Sequence, residues 1–139
     1  SDLYQSRNPY VGDTSADGRS VQAAIAVLGI NDGALLSYGT QLQTSKEPYG
    51  WTFLNVQISS SDNVERLQQE MKQLGCLLIA VTDNLGYVSF EYCVDGTENS
   101  DGSTTLTVTE ADADVLAGQS VKAMSQTPAG LQKLVELIK

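Results

Sequence analysis

No histidine occurs among the 139 residues. That omission removes Ser-His-Asp and Cys-His nucleophile pairs, imidazole general bases and zincin-type metal sites together. Chemistry would have to come from a carboxylate pair, a Ser-Lys dyad, a reactive cysteine or an oxygen-bound cation. Glu110, Asp112 and Asp114 come nearest to a carboxylate pair. Glycoside hydrolysis needs two carboxyls fixed across a sugar-sized cleft, whereas these acids cluster where a helix is expected to start and where they complement its dipole. No lysine stands in Ser-x-x-Lys spacing, and neither Gly-x-Ser-x-Gly nor a glycine-rich phosphate loop is present. The nearest thing to a calcium loop, Thr97 to Val108, has Asn99, Asp101 and Gly102 suitably placed. It carries Thr where the first Asp belongs and Val where the bidentate Glu belongs. Two cysteines cannot fill a four-ligand zinc site. The expectation is a protein with no catalytic residues, no metal and no organic cofactor.

The elements that would position any site follow from hydrophobic periodicity. Asn8-Pro9 disfavours helix before the proline, so Ser1 to Gly12 reads as an extended lead-in. Thr14 and Asp17 stand in capping-box spacing, and Val21, Ala24, Ile25 and Leu28 repeat at i, i+3, i+4, i+7, which predicts a helix over 15–28 closed by Gly29. Asn31-Asp32-Gly33 is turn chemistry. Leu36 to Thr44 and Trp51 to Ile58 read as strands joined through Glu47-Pro48-Tyr49-Gly50 into an antiparallel hairpin, with Leu54, Val56 and Ile58 on one side and Trp51 and Phe53 on the other. Ser61-Asp62 opens a helix over 62–74, with Val64, Leu67, Met71 and Leu74 as its stripe and Gly75 as its stop. Cys76 to Thr82, almost continuously apolar, reads as a central strand. A turn at Asp83-Asn84-Leu85-Gly86 leads into Tyr87 to Val94 and pairs Val81 with Val88, Ile79 with Phe90 and Leu77 with Tyr92. Asp95 to Gly102 reads as a solvated loop and Thr104 to Thr109 as an edge strand with Leu106 and Val108 inward. A short helical region around Ala111 to Met124 and a helix over 129–138, opened by Thr127-Pro128, complete the chain. The fold expected is α+β, one domain over 1–139, with an antiparallel sheet of about five strands and helices packed on one face.

The same register sets Cys76 opposite Cys93 on the face away from Ile79 and Phe90. Facing Cβ atoms lie close to disulfide distance. Two readings stand: a disulfide formed in an oxidising compartment, or two semi-buried thiols that happen to face each other. Charge narrows the partners further. Eight basic against 17 acidic residues give −9, and no Lys or Arg occurs between Lys72 and Lys122. Such a surface repels phosphate backbones and anionic headgroups, so no nucleic acid is expected as partner. No apolar run is long enough to span a bilayer, so the chain is not expected to be embedded in a membrane.

Three short motifs carry a resemblance. Asn8-Pro9-Tyr10-Val11-Gly12-Asp13, then Leu42-Gln43-Thr44 leading into Glu47-Pro48-Tyr49-Gly50, then Leu78-Ile79-Ala80-Val81 leading into Asp83-Asn84 with Val88, together resemble an uncharacterised domain of Gram-positive bacterial lipoproteins. It is similar also to a module at the end of membrane metallopeptidases of the beta-lactam-sensor type. Cys76 and Trp51-Thr52-Phe53 depart from that pattern. The resemblance implies an extracytoplasmic location and an anchor in the full-length protein, and carries no activity with it. Tyr10, Asp13, Tyr49, Trp51 and Asn84 are the candidate ligand-binding residues, since they fall in loops or at strand ends. Helix starting and turn formation account for the same residues equally well. The function expected is a non-enzymatic sensing or binding module meeting an envelope ligand or protein. The alternatives are a structural or interaction subunit of an envelope complex and a small carboxylate-based hydrolase.

Overall fold

The computed structural model describes residues 2–30, 39–58, 64–94 and 104–139. The Asn31-Asp32-Gly33 turn, the start of the first expected strand, the Ser61-Asp62 helix start and the 95–102 loop with most of the calcium-loop match lie outside them. In chain order the elements are α1 (Asp2–Gln5), α2 (Thr14–Leu28), β1 (Gly39–Gln43), β2 (Tyr49–Ile58), α3 (Val64–Val81), β3 (Leu85–Val94), β4 (Thr104–Thr109), α4 (Glu110–Ala117), α5 (Val121–Met124) and α6 (Pro128–Ile138).

The described strands form one four-stranded sheet in the order β1-β2-β3-β4. The β1/β2 and β3/β4 pairs are antiparallel, as expected for the first hairpin, but β2 and β3 run parallel. A parallel pair needs a crossover, and α3 supplies it. The class is therefore α+β with a mostly antiparallel sheet, of four strands among the described residues where about five were expected. The expected central strand over 76–82 is absent because residues 76–81 are the last third of α3. Helical spacing continues through them: Leu67, Met71, Leu74, Leu78 and Val81 are all buried. A short apolar run suits a helix covered on all sides as well as a strand covered on both, and only the length of the whole segment separates the two. Gly75 does not stop the helix. A Cβ there would stand 3.1 Å from Val108 Cγ2, so glycine at this position lets α3 pack tightly against Val108 of β4.

Local signals otherwise hold to within a residue or two. Asp13, one residue before the expected cap, accepts from the Ala16 amide, and Gly29 at φ 70° closes α2. Thr127 caps α6 with Pro128 behind it. Leu3 to Gln5 belong to a helix rather than an extended lead-in. In β2 the register shifts between Phe53 and Val56. This bulge moves Val56 to the side of Trp51 and Phe53, and all three are buried, while Leu54 is only half-buried. Trp51 stacks on Phe53 with ring centroids 5.3 Å apart and Phe53 on Phe90 at 5.0 Å, an aromatic column crossing β2 and β3 beneath the helices. Each stacked pair adds about 0.5–1.5 kcal/mol to its area burial.

The C-terminus of α3 is closed from a distance. It has no basic residue in its last turn. Instead the Asn8 amide donates to Val81 O at 2.7 Å, and the Asp83 amide donates to Asn8 O at 2.9 Å. Lys122 of α5 places its ammonium among four carbonyl oxygens, those of Ile79 (3.1 Å), Thr82 (2.7 Å), Asp83 (3.0 Å) and Leu85 (2.9 Å). A cation there opposes the negative end of the helix dipole and satisfies carbonyls that have no partner within the helix. Burial pulls the Lys122 ammonium below its ordinary pKa, against the upward pull of Glu110, Asp83 and Asp114.

Candidate functional site

One face of α2 presents Thr14, Asp17, Gly18 and Val21, the i, i+3, i+4, i+7 stripe nearest its N-terminus. Opposite it, Thr40 and Leu42 alternate along β1, and Leu42 pairs with Trp51 of β2. These seven residues enclose a cavity of about 140 Å3. Its two polar extremes are deeply buried: Asp17 is 4% exposed and Trp51 2%. Asp17 Oδ1 accepts from Asn8 Nδ2 at 3.0 Å. Asp17 Oδ2 and Trp51 Nε1 have no hydrogen-bond partner among the described residues. One of these atoms accepts and the other donates, and each costs about 1–3 kcal/mol while unsatisfied. Burial pushes the Asp17 carboxyl up to about 7, the Asn8 hydrogen bond draws it back and the charge of Asp13 adds to the rise.

Asn8 is the residue that builds this corner. Besides its backbone bridge to Thr82, its amide nitrogen donates to Tyr10 O at 2.7 Å and its amide oxygen accepts from the Tyr10 amide at 3.0 Å. The Asn8-Pro9-Tyr10 segment is thereby folded into a strap that hands one donor to Asp17. Asn84, at the α3–β3 junction, accepts from the Val11 amide at 2.7 Å and ties down the far end of the strap.

The five candidate residues are thus divided. Trp51 lines the cavity. Asp13 caps α2, and the Asn84 side-chain oxygen is engaged with the strap. Tyr10 is 67% exposed on the strap itself. Tyr49 and Asn84 do come together, with Glu47, Pro48, Asp83, Gly86 and Glu110, around a second, more open hollow of about 400 Å3. There the turn motif has a packing role: the Glu47-Pro48 peptide is cis, a Cβ on Gly50 would enter the Tyr87 ring, and one on Gly86 would press on Pro48. Asp17 escaped the sequence reading as a site residue because its spacing from Thr14 resembles a cap. Its burial depends on Asn8 and on strands far along the chain.

The acids considered for hydrolysis are engaged in helix ends. Thr109 and Asp112 form a reciprocal capping box at 3.0 and 3.1 Å. Asp114 accepts from the Val121 amide at 2.9 Å. The cysteines do not face each other across a hairpin: Cys76 lies in α3, Cys93 lies in β3 opposite Gln57 of the parallel partner, and both thiols are free. The register behind the disulfide reading fails because no 76–82 strand exists. Burial pushes the Cys76 thiol up to about 12, with the charge of Asp114 adding to it, which makes it inert at neutral pH.

A family model, described as Domain of unknown function (DUF4825), matches residues 3–107. The chain belongs to that family. The matched span runs from α1 into β4 and includes Asn8, Asp17 and Trp51, and it ends before Lys122. No curated protein and no solved structure matches the chain. Among the described residues of this DUF4825 member, no helix is long and apolar enough to cross a membrane.

Proposed function

We propose that the chain is a non-enzymatic binding module of the bacterial cell envelope, held outside the cytoplasm and anchored through its full-length protein. The observation that carries the binding reading is the cavity of about 140 Å3 walled by Asp17 and Trp51, each of which also holds a buried side-chain atom without a hydrogen-bond partner. A fold that keeps an acceptor and a donor unsatisfied in residues walling a cavity retains a local cost there that packing alone would have removed. The motif resemblance to lipoprotein and sensor modules supports the location. Trp51 is the sole tryptophan, so its indole N–H gives a single signal in a 15N-labelled sample. Soluble peptide and glycan fractions from a digested Gram-positive cell wall are to be titrated against that signal. One fraction is expected to move it saturably, and Gly18→Leu, which extends a side chain from a position where a Cβ meets nothing within 4 Å, is expected to abolish the shift. If no fraction moves the indole signal, the binding reading is lost.

The interaction-subunit reading has its own observation. Val115, 82% exposed, and the less exposed Leu116 are consecutive apolar residues of α4, and Leu116 lies with Lys72, Thr107 and Asp112 around a hollow of about 330 Å3. A serine at both positions is expected to leave the indole titration unchanged.

A further inference from the structure

Resting on the interaction-subunit reading of the hollow beside Leu116, we propose that the outer edge of β4 takes a fifth strand: an extended, basic segment of a partner polypeptide that seats an apolar side chain in that hollow.

β4 is the last strand of the sheet, and among the described residues no strand pairs with its outer side. It pairs with β3 residue for residue, from Tyr87 with Thr109 to Tyr92 with Thr104, without a bulge. Its six residues include no charge and no proline. Edges that must stay unpaired are commonly blunted by one of these devices. The Thr109 amide donates to Asp112 Oδ2 of α4 at 3.0 Å, so it points off the ladder. Main-chain groups change sides at each residue of an antiparallel strand, so those of Thr105 and Thr107 point outward with it. Such a row is matched by another main chain, which supplies donors and acceptors in the same alternation.

The hollow of about 330 Å3 adjoins this row. β4 contributes Thr107 and Val108 to it, α3 contributes Lys72, and α4 contributes Asp112 and Leu116. Among the described residues none from β3 lines it, which sets it on the outer side of β4. Lys72 opposes a cation there. Asp112, committed to the Thr109 amide, opposes an anion. Val108 and Leu116 supply apolar surface, so the side chain seated between them is apolar.

Charge decides the remainder of the segment. Val108 packs towards Gly75 of α3, so Thr105, Thr107 and Thr109, which alternate with it, lie on the sheet face away from α3. Glu91, paired with Thr105, shares that face, and Glu110 follows Thr109 directly. Between Lys72 and Lys122 the chain carries eight acids and no base, and the Lys122 ammonium is spent on four carbonyls. A second copy would bring −9 against −9 and set these acids against themselves. A strand with Lys or Arg at alternate positions, and apolar residues between them facing the hollow, complements both faces.

The test titrates the 15N-labelled chain with three acetylated peptides as long as β4: one alternating Lys and Val, one alternating Glu and Val, and the Lys-Val peptide N-methylated at every residue. The Lys-Val peptide is expected to bind saturably, more weakly as salt is added, and to slow hydrogen exchange of the Thr105 and Thr107 amides at least about tenfold. The other two peptides are expected to bind at least about tenfold more weakly, one for its charge and the other for its missing N–H groups. Leu116→Arg sets a second cation beside Lys72 and is expected to weaken the Lys-Val peptide by a similar factor, with the backbone spectrum still that of a folded chain. If the N-methylated peptide binds as well as its parent while Leu116→Arg weakens both, strand addition is overturned and the interaction reading of the hollow stands. Equal binding of the Glu-Val peptide overturns the basic partner. Protection of Thr105 and Thr107 that rises with the concentration of the chain alone assigns the edge to a second copy and overturns the proposal. If no peptide binds, strand addition and the interaction reading fall together.

Discussion

Asp17 is held by one oxygen and left over at the other, and this asymmetry makes its stability effect measurable. Its carboxyl is raised on folding, from 3.8 to about 7. Below about pH 4 it is protonated in the folded and unfolded chain alike and costs nothing. Between about 4 and 7 the unfolded chain releases its proton and the folded chain does not, so stability falls as pH rises. Above about 7 the loss is complete, on the order of 4 kcal/mol. Asp17→Asn lacks the ionisation and keeps the Asn8 bond. It is expected to exceed the wild type in Tm at pH 8 and to converge with it near pH 4, read as the difference between two thermal-melt series. A constant difference across that range would show that Asp17 does not titrate there. Half of this site was legible in the sequence. Trp51 stood out as a bulky residue at a strand start, whereas Asp17 needed the strap from Asn8, which no local pattern reports.

Among the elements, α3 carries both the main success and the main failure of sequence reasoning. Its first turns show the 3.6-residue stripe plainly. Beyond Gly75 the residues become apolar on every side, because β3, β4, α2, α4 and α5 surround that end, and periodicity disappears where burial is complete. The parallel β2–β3 pairing was lost with it, since a strand at 76–82 would have made a hairpin of what is a crossover. Boundaries marked by chemistry, such as Thr127-Pro128 and Gly29, survived because a cap acts locally. The closing of α3 by Lys122 does not act locally, and it can be weighed. Lys122→Met keeps the stem and removes the ammonium from four carbonyls. Charge-assisted hydrogen bonds are worth roughly 1.5–3 kcal/mol each, offset here by desolvation, so a net loss of about 2–3 kcal/mol is expected. Lys133→Met, on the exposed side of α6, is expected to change stability by less than about 0.5 kcal/mol. Urea midpoints of the two variants make the comparison; equal midpoints would mean that the carbonyl cage contributes nothing.

At the scale of the whole molecule, both ends of the chain close on the same place. Asn8 and Asp83 bracket the last turn of α3 from one side and Lys122 from the other. The matched family span stops at residue 107, before the second of these. A chain cut after Thr109 retains all four described strands yet loses Lys122 and the packing of α4, α5 and α6, including buried Leu131, Leu134 and Ile138. It is expected to give no cooperative urea transition, whereas the full chain gives one. A sharp transition in the shortened chain would show that the C-terminal helices are dispensable.

The convergence also sets a timetable. A ribosome delivers Asn8 first, the α3–β3 junction next and Lys122 only afterwards, a delay of a few seconds at roughly 5–20 residues per second. During that interval the C-terminal carbonyls of α3 lack their cation and the parallel pair lacks its cover. The end of α3 therefore cannot be closed until synthesis has passed α5.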